Sequence, residues 1–307
     1  MIRMRWIKKG LIFNPRGRIS WAGHSALQPT PLLVDDNVMR IFVGMRDEEG
    51  VSRIGYVDVS AQNPSKVLNI SSGPCLDIGL PGRFDDNGVV PCCAVRREDG
   101  VYLYYAGYQL VQKVRFLVFG GLAFSRDGTM FQRVRTVPIT DRTEDETLFK
   151  VIHTALFDEN KWRIWYGGGS GFQQGKNKTL PVYDIRYTES EDGITIPQQG
   201  RTVIHASGDE YRIARPSVIK KADGFHMFLC YGSEADPYSL GYAHSRDGIT
   251  WTRNDAMLNL QKTPGDWDSD MMAYPALIES AGKTYLFYNG NNYGREGFGY
   301  AELINDS

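Results

Sequence analysis

Tyr102-Leu103-Tyr104-Tyr105-Ala106-Gly107 is the stretch whose reading decides the fold, because the chain repeats its pattern five times. The other copies are Met39-Arg40-Ile41-Phe42-Val43-Gly44, Arg163-Ile164-Trp165-Tyr166-Gly167, His226-Met227-Phe228-Leu229-Cys230-Tyr231-Gly232 and Tyr285-Leu286-Phe287-Tyr288-Asn289-Gly290. Each is an apolar or aromatic strand ending in glycine, and the terminal glycines stand 63, 60, 65 and 58 residues apart. Working outward, Pro29, Pro91, Pro216 and Pro275 precede their glycines by 15, 16, 16 and 15 residues; the third copy has Ile152-His153-Thr154 in that place. Three copies continue into a second hairpin through Ser125-Arg126-Asp127-Gly128, Ser190-Glu191-Asp192-Gly193 and Ser245-Arg246-Asp247-Gly248. Asp-Gly between strands marks a tight turn, since the turn needs positive φ. Each unit thus holds about four strands, the content of a propeller blade. The expected fold is all-β: a five-bladed β-propeller of four-stranded antiparallel blades, one domain over residues 1–307. The last copy ends without an outer strand, and the N-terminal run Trp6–Phe13 is placed to supply it and close the ring, which removes exposed sheet edges. Five matched spacings argue against two stacked β-domains or a sandwich, and a β-helix has a far shorter period.

Composition bounds the function. At 42% hydrophobic and 23% charged, the 307-residue chain has a globular balance that excludes disorder. Thirty-five Lys and Arg against 36 Asp and Glu leave no basic excess for a phosphate backbone, so no nucleic-acid partner is expected. No apolar run approaches the roughly 18 residues needed to cross a bilayer, so no membrane insertion is expected. The start, Met1-Ile2-Arg3-Met4-Arg5-Trp6, lacks the apolar core of a secretion signal and points to a cytoplasmic location. Cys75, Cys92, Cys93 and Cys230 read as reduced thiols. Without a C-x-x-C pair no zinc site is expected; no cofactor is expected either, no metal ligands are identified, and whether the channel holds a metal ion stays open.

In a propeller the first strand of each blade lines the axis, so residues distant in sequence converge there. Counting back from each Pro with strand alternation selects Gln28 and His24, Asp86, Arg215 and Tyr211, and Tyr274 and Asp270. The third copy has no clean register and offers Lys150 and His153. Arg212 and Trp267 stand in the same polar entrances. Carboxylates, bases and rings together are what a sugar site needs, since rings stack on a pyranose face and charged groups read its hydroxyls. Each residue also has a plainer reading: Asp85-Asp86 as an Asx turn, one of Asp268 and Asp270 as a cap on backbone amides, Arg215 as the partner of a buried acid, and His24 and His153 as core or rim histidines.

With these residues in view, the chain resembles the five-bladed β-propeller glycosidase superfamily, which includes arabinanases and β-xylosidases, invertases and levansucrases, and mannoside phosphorylases. The resemblance rests on the five Gly-terminated strands and on Ser245-Arg246-Asp247-Gly248-Ile249-Thr250-Trp251, an outer hairpin typical of the group. It implies catalytic acids on inner strands, with Asp86 and Asp270 as the positional matches. The arabinanase Asp-Pro signature is absent before Pro29 and Pro91, and so is the invertase Asn-Asp-Pro set. Three functions stay open. One is a hydrolase or phosphorylase acting on a glycosidic bond of a small-molecule or oligosaccharide substrate. The second is a glycosyltransferase or sugar-modifying enzyme of polysaccharide biosynthesis. The third is a non-catalytic sugar-binding propeller. The sequence leaves the oligomeric state open.

Overall fold

The computed structural model describes residues 3–304. Met1 and Ile2, part of the basic start, lie outside the described residues, as do the last three positions of the expected 1–307 domain. The described chain is nearly all strand. β1 (Trp6–Phe13) is followed by a first unit of β2 (Ser25–Leu33), β3 (Val38–Arg46), β4 (Ser52–Ser60) and β5 (Val67–Ile70). The second unit is β6 (Val89–Arg97), β7 (Gly100–Leu110), β8 (Phe116–Ser125) and β9 (Gln132–Arg133). The third is β10 (Phe149–Asp158), β11 (Lys161–Gln174), β12 (Thr179–Ser190) and β13 (Arg201–Ile204). The fourth is β14 (Arg212–Lys221), β15 (Gly224–Gly232), β16 (Ser239–Ser245) and β17 (Thr252–Arg253). The fifth has β18 (Ala273–Ser280), β19 (Lys283–Asn289) and β20 (Phe298–Leu303), and its outermost place is taken by β1, antiparallel to β20 from Trp6–Leu303 to Phe13–Phe298. Within every unit neighbouring strands are antiparallel; one parallel pairing, Tyr183 with Arg212, links the third unit to the fourth.

The Gly-terminated strands explain how the units pack. Successive side chains on a strand point to opposite faces, and here each face meets a different neighbour. On β7, Tyr105 packs with Phe42 and Ile54 of the first unit, while Tyr104 packs with Ile164 and Tyr166 of the third. On β11, Trp165 turns to Met227 and Leu229 of the fourth unit. On β15, Phe228 and Cys230 turn to Leu286 and Tyr288 of the fifth. On β19, Tyr285 and Phe287 turn to Met39, Ile41 and Val43 of the first. The second strand of each unit is therefore apolar on both faces. The first strands touch in the same order: β2 with β6, β6 with β10, β10 with β14, β14 with β18, and β18 with β2.

Every first strand is broken by a β-bulge, at Leu27/Thr30, Pro91/Cys93, Ile152/Thr154, Ala214/Ser217 and Ala273/Ala276. The repeated prolines mark these bulges, where a missing N–H costs no ladder hydrogen bond. Gln28, Arg215 and Tyr274, each just before its Pro, take left-handed φ of 54°, 56° and 57°. A bulge re-aims a side chain, and the bulge residues are Gln28, Cys92, His153, Arg215 and Tyr274.

Candidate functional site

Arg215 ties together four of the five bulges, its own included. From β14 its Nη1 donates to Gln28 Oε1 (3.1 Å) and to the carbonyls of Cys92 (2.8 Å) and Pro91 (3.3 Å). Its Nη2 donates to Thr30 Oγ1 (2.8 Å) and Pro29 O (3.3 Å). His153 Nδ1 lies 3.3 Å from Nη1. One side chain from the fourth unit thus binds strands of the first, second and third. It is 3% exposed and, among the described residues, pairs with no carboxylate, so the expected salt bridge to a buried acid is not what holds it. Burial lowers its pKa from the usual arginine range, though a guanidinium stays charged. Burial, and then the charge of Arg215, drives the His153 pKa well below 6.5, so the imidazole is neutral. Burial pushes the Cys92 thiol up to about 12, which leaves it protonated and weakly nucleophilic. Asn289, fully buried on β19, fixes the neighbouring bulge: its Oδ1 accepts the Gln28 N–H (2.7 Å) and its Nδ2 donates to Ala26 O (2.7 Å) and Gly297 O (2.9 Å).

A second cation stands where β14 begins. The Arg212 guanidinium lies 3.9 Å from the Tyr238 ring centroid, 4.8 Å from Tyr211 and 5.9 Å from Tyr293. It donates to Pro237 O and to the Tyr293 hydroxyl (3.3 Å), while its buried Nε has no partner among the described residues. Tyr274 packs on Tyr238 with centroids 5.5 Å apart, and the Tyr238 and Tyr183 hydroxyls share a short hydrogen bond. Burial raises both the Tyr274 and Tyr238 hydroxyls far above the usual tyrosine value, so they remain neutral donors. The result is a cation in an aromatic cage, able to stack on an apolar face and to pair with an anion.

The two expected catalytic acids sit in loops ahead of their strands. Asp86 is half-buried, and its Oδ2 accepts the Gly82 N–H at 2.8 Å, a local turn bond. Asp270 is exposed; its own N–H and that of Met271 are held by Asn291 Oδ1 at 2.8 and 2.9 Å. His24, half-buried, contacts Ser25 Oγ through Nδ1 (3.2 Å), and its N–H donates to Arg46 O (3.0 Å).

Among the described residues no hydrogen bond or ion pair joins Asp86, Asp270 or His24 to Arg215 or Arg212, and two further expected residues lie elsewhere. Lys150 lies inside the third unit, 1% exposed, donating to the carbonyls of Pro197 (2.7 Å) and Gln198 (2.9 Å) and standing 3.8 Å from Glu146. Its place on β10 sends the side chain away from the bulges, and burial lowers its pKa. Trp267 stacks on Tyr288 of its own unit (5.0 Å, 21°) and packs over Gly290 and Gly299. The alternation count passes over Tyr183, Tyr238, Asn289, Asn291 and Tyr293. Most follow a Gly-terminated strand or open the next one, and that position was the available signal. The open cleft bounded by Arg142, Glu144, Asp145, Gln198 and Gln199 is built from the segment between β9 and β10 and the loop between β12 and β13.

No family model matches the chain. A glycoside hydrolase structure is similar over 98% of this chain and 92% of its own, with TM-score 0.74 and 18% identity. A thermostable family-43 glycoside hydrolase gives TM-score 0.70 and 17% identity over 95% and 93%. A structure from the GH130 family of mannoside phosphorylases, which contains glycoside hydrolases that target β-1,2 mannosidic linkages in Candida mannan, gives TM-score 0.72 and 13% identity over 98% and 94%. The chain therefore has the fold of the propeller glycosidases. Two Mycobacterium tuberculosis proteins, the uncharacterized proteins MT1551 (strain CDC 1551 / Oshkosh) and Rv1502 (strain ATCC 25618 / H37Rv), are each 34% identical to it over 98% of this chain and 100% of their own. With that identity along its whole length, the chain belongs to the family of MT1551 and Rv1502.

Proposed function

We propose that the five units are the blades of a single-domain, five-bladed propeller closed by β1, and that its axial mouth binds a sugar and acts on a glycosidic bond as a cytoplasmic hydrolase or phosphorylase. The observation that carries this reading is the convergence on Arg215. Groups from three first strands meet on one buried side chain of a fourth, and beside it lies the Arg212–tyrosine cage. Convergent polar groups with aromatic walls suit an oligosaccharide or small sugar ligand. Asp86 and Asp270 are the acids assigned to the bond. One carboxyl gives its proton to the leaving oxygen; the other takes a proton from water or phosphate as that attacks the anomeric carbon, or attacks the carbon itself. Gln28, His24, His153, Tyr211 and Tyr274 bind hydroxyls and ring faces. No metal or other cofactor enters these steps.

The specific observation of two buried arginines without a carboxylate partner favours an anionic substrate, and with it a second reading: transfer from, or modification of, a phosphorylated or nucleotide-linked sugar. The test is turnover and binding across glycosides, sugar phosphates and nucleotide sugars, with and without inorganic phosphate. Asp86→Asn and Asp270→Asn should each lower kcat/KM by about 10²- to 10⁴-fold with unchanged thermal midpoints. Binding without turnover in the wild-type protein leaves only the sugar-binding propeller. Full activity in both variants removes the assigned acids.

A further inference from the structure

We propose that Asp223, His226 and His244, at the opposite end of the fourth unit, form a binding site for one divalent transition-metal ion of the zinc class. His226 on β15 and His244 on β16 are directly opposed across the sheet, with ring centroids 5.0 Å apart. Lys221 pairs with Gly224, so Ala222 and Asp223 form the tight turn between β14 and β15, and that turn hangs the carboxylate over the two imidazoles. Asp223 Oδ1 is 2.9 Å from His226 Nε2, Asp223 Oδ2 is 3.8 Å from His244 Nε2, and the three donors all lie within 4.8 Å of one another. Tetrahedral zinc with bonds of about 2.0–2.1 Å needs donors roughly 3.3 Å apart, a spacing these distances bracket, so small side-chain rotations close the site.

The second layer is also in place. His226 Nδ1 lies 2.7 Å from the Tyr242 hydroxyl. A ligating imidazole uses one ring nitrogen on the metal and donates its other N–H to an oxygen, and Tyr242 supplies that oxygen while leaving Nε2 for the ion. Side-chain exposures of 67%, 14% and 34% for Asp223, His226 and His244 leave an approach from solvent and room for water as a fourth ligand. Two imidazoles and one carboxylate select zinc, cobalt or nickel over magnesium and calcium, which prefer all-oxygen shells. The sequence reading looked for zinc through cysteine spacing; these ligands are instead assembled by strand register. β14 runs about 30 Å from Arg212 to Lys221, so this centre is separate from the sugar site, and its test does not depend on that activity.

The test is titration of the chelator-stripped protein with Zn²⁺ against a chromophoric competitor. It is paired with NMR of the five histidines, His24, His153, His205, His226 and His244. One equivalent of Zn²⁺ should bind and shift the signals of His226 and His244 while leaving the other three in place. Asp223→Asn and His244→Gln should each weaken binding at least about tenfold, and excess Mg²⁺ should not compete. A double variant whose titration matches the wild-type curve overturns the proposal. So does Zn²⁺ that perturbs the histidines without preference, a readout that needs no variant to fold.

Discussion

Adjacent acids in the same loop have opposite duties. Asp85 is fully buried, and its Oδ2 accepts from Tyr105 OH (2.9 Å) and Arg133 Nε (2.7 Å). Asp268 repeats this in the fifth unit, accepting from Tyr288 OH (3.0 Å) and Lys8 Nζ (2.5 Å). In both, the tyrosine stands on the Gly-terminated strand, the cation comes from the outermost strand, and the residue before the acid, Phe84 or Trp267, stacks on that tyrosine. The terminal glycine makes room: a Cβ on Gly107 would stand 2.6 Å from Asp85 Cβ, and one on Gly290 would stand 2.2 Å from Trp267 O. These acids are rivets across a sheet, while Asp86 accepts only a local turn bond and Asp270 is exposed. Asp85→Asn is therefore expected to lower stability by about 3 kcal/mol, because it strips a buried pair of its charge, whereas Asp86→Asn stays within about 0.5 kcal/mol. Urea unfolding compares the two, and equal losses would contradict the division of labour. Alternation could not separate them, since β6 begins at Val89 and β18 at Ala273. Asp86 and Asp270 precede their strands, where a period of two has no meaning.

The Ser-x-Asp-Gly elements were legible in sequence because their chemistry is local. In the third unit Asp192 Oδ1 accepts the N–H groups of Ile194 and Thr195, both at 2.7 Å; Asp247 does the same for Ile249 (2.8 Å) and Thr250 (2.7 Å). What could not be read is what the turns grip. The carbonyl of the turn glycine receives a donor from the preceding unit: Arg40 Nη1 to Gly128 O (2.8 Å), Tyr104 OH to Gly193 O (2.6 Å) and Trp165 Nε1 to Gly248 O (2.9 Å). These turns are latches between neighbouring sheets. The modest burial of Asp192 acts to raise its pKa, but the amides of Thr195 and Ile194 outweigh it and hold the carboxyl at about 2, against 3.8 unperturbed. A depressed folded-state value means stabilisation that is full above the unfolded pKa and is lost as pH falls through the folded one. Asp192→Ala should thus cost about 1 kcal/mol at neutral pH, a figure kept small by solvent exposure. That cost should shrink as pH drops from about 4 toward 2. Urea midpoints at pH 7, 4 and 2 check it; a cost that does not change with pH would mean the carboxylate charge plays no part. The third bulge is the element the sequence leaves blurred: His153 occupies it without a proline, so a count from Pro has no origin there, and Lys150 stands among the candidates although its side chain is buried inside the third unit.

At the scale of the molecule, the repeat pattern made the four-stranded antiparallel sheets readable, and β1 pairs with β20 at the outer edge of the last one. What holds β1 in the fifth unit, and that unit against its neighbours, is substantial. Phe13 is fully buried and Ile12 nearly so. Lys8 reaches Asp268 and Thr263, Trp6 meets Phe228 of the fourth unit edge-on at 5.8 Å, and Tyr285 OH donates to Gln62 O of the first unit at 2.9 Å. Losing one buried Phe alone costs about 3–5 kcal/mol, a large share of a typical folding free energy. A chain lacking residues 1–15 would also bare the unpaired edge of β20, an invitation to intermolecular pairing. It should lose cooperative unfolding or associate through that edge, as read by calorimetry and light scattering. The covalent origin of the strand should not matter, only its presence. Leu303 pairs with Trp6, so a permuted chain that starts at Gly17, joins Ser307 to Met1 and ends at Arg16 writes the fifth unit as one continuous four-strand meander. That permutant should keep a thermal midpoint within about 5 °C of the original, since each kcal/mol moves the midpoint of a chain this size by only a few degrees. A truncated chain that melts like the full one, or a permutant that does not fold, would overturn the proposed closure by β1.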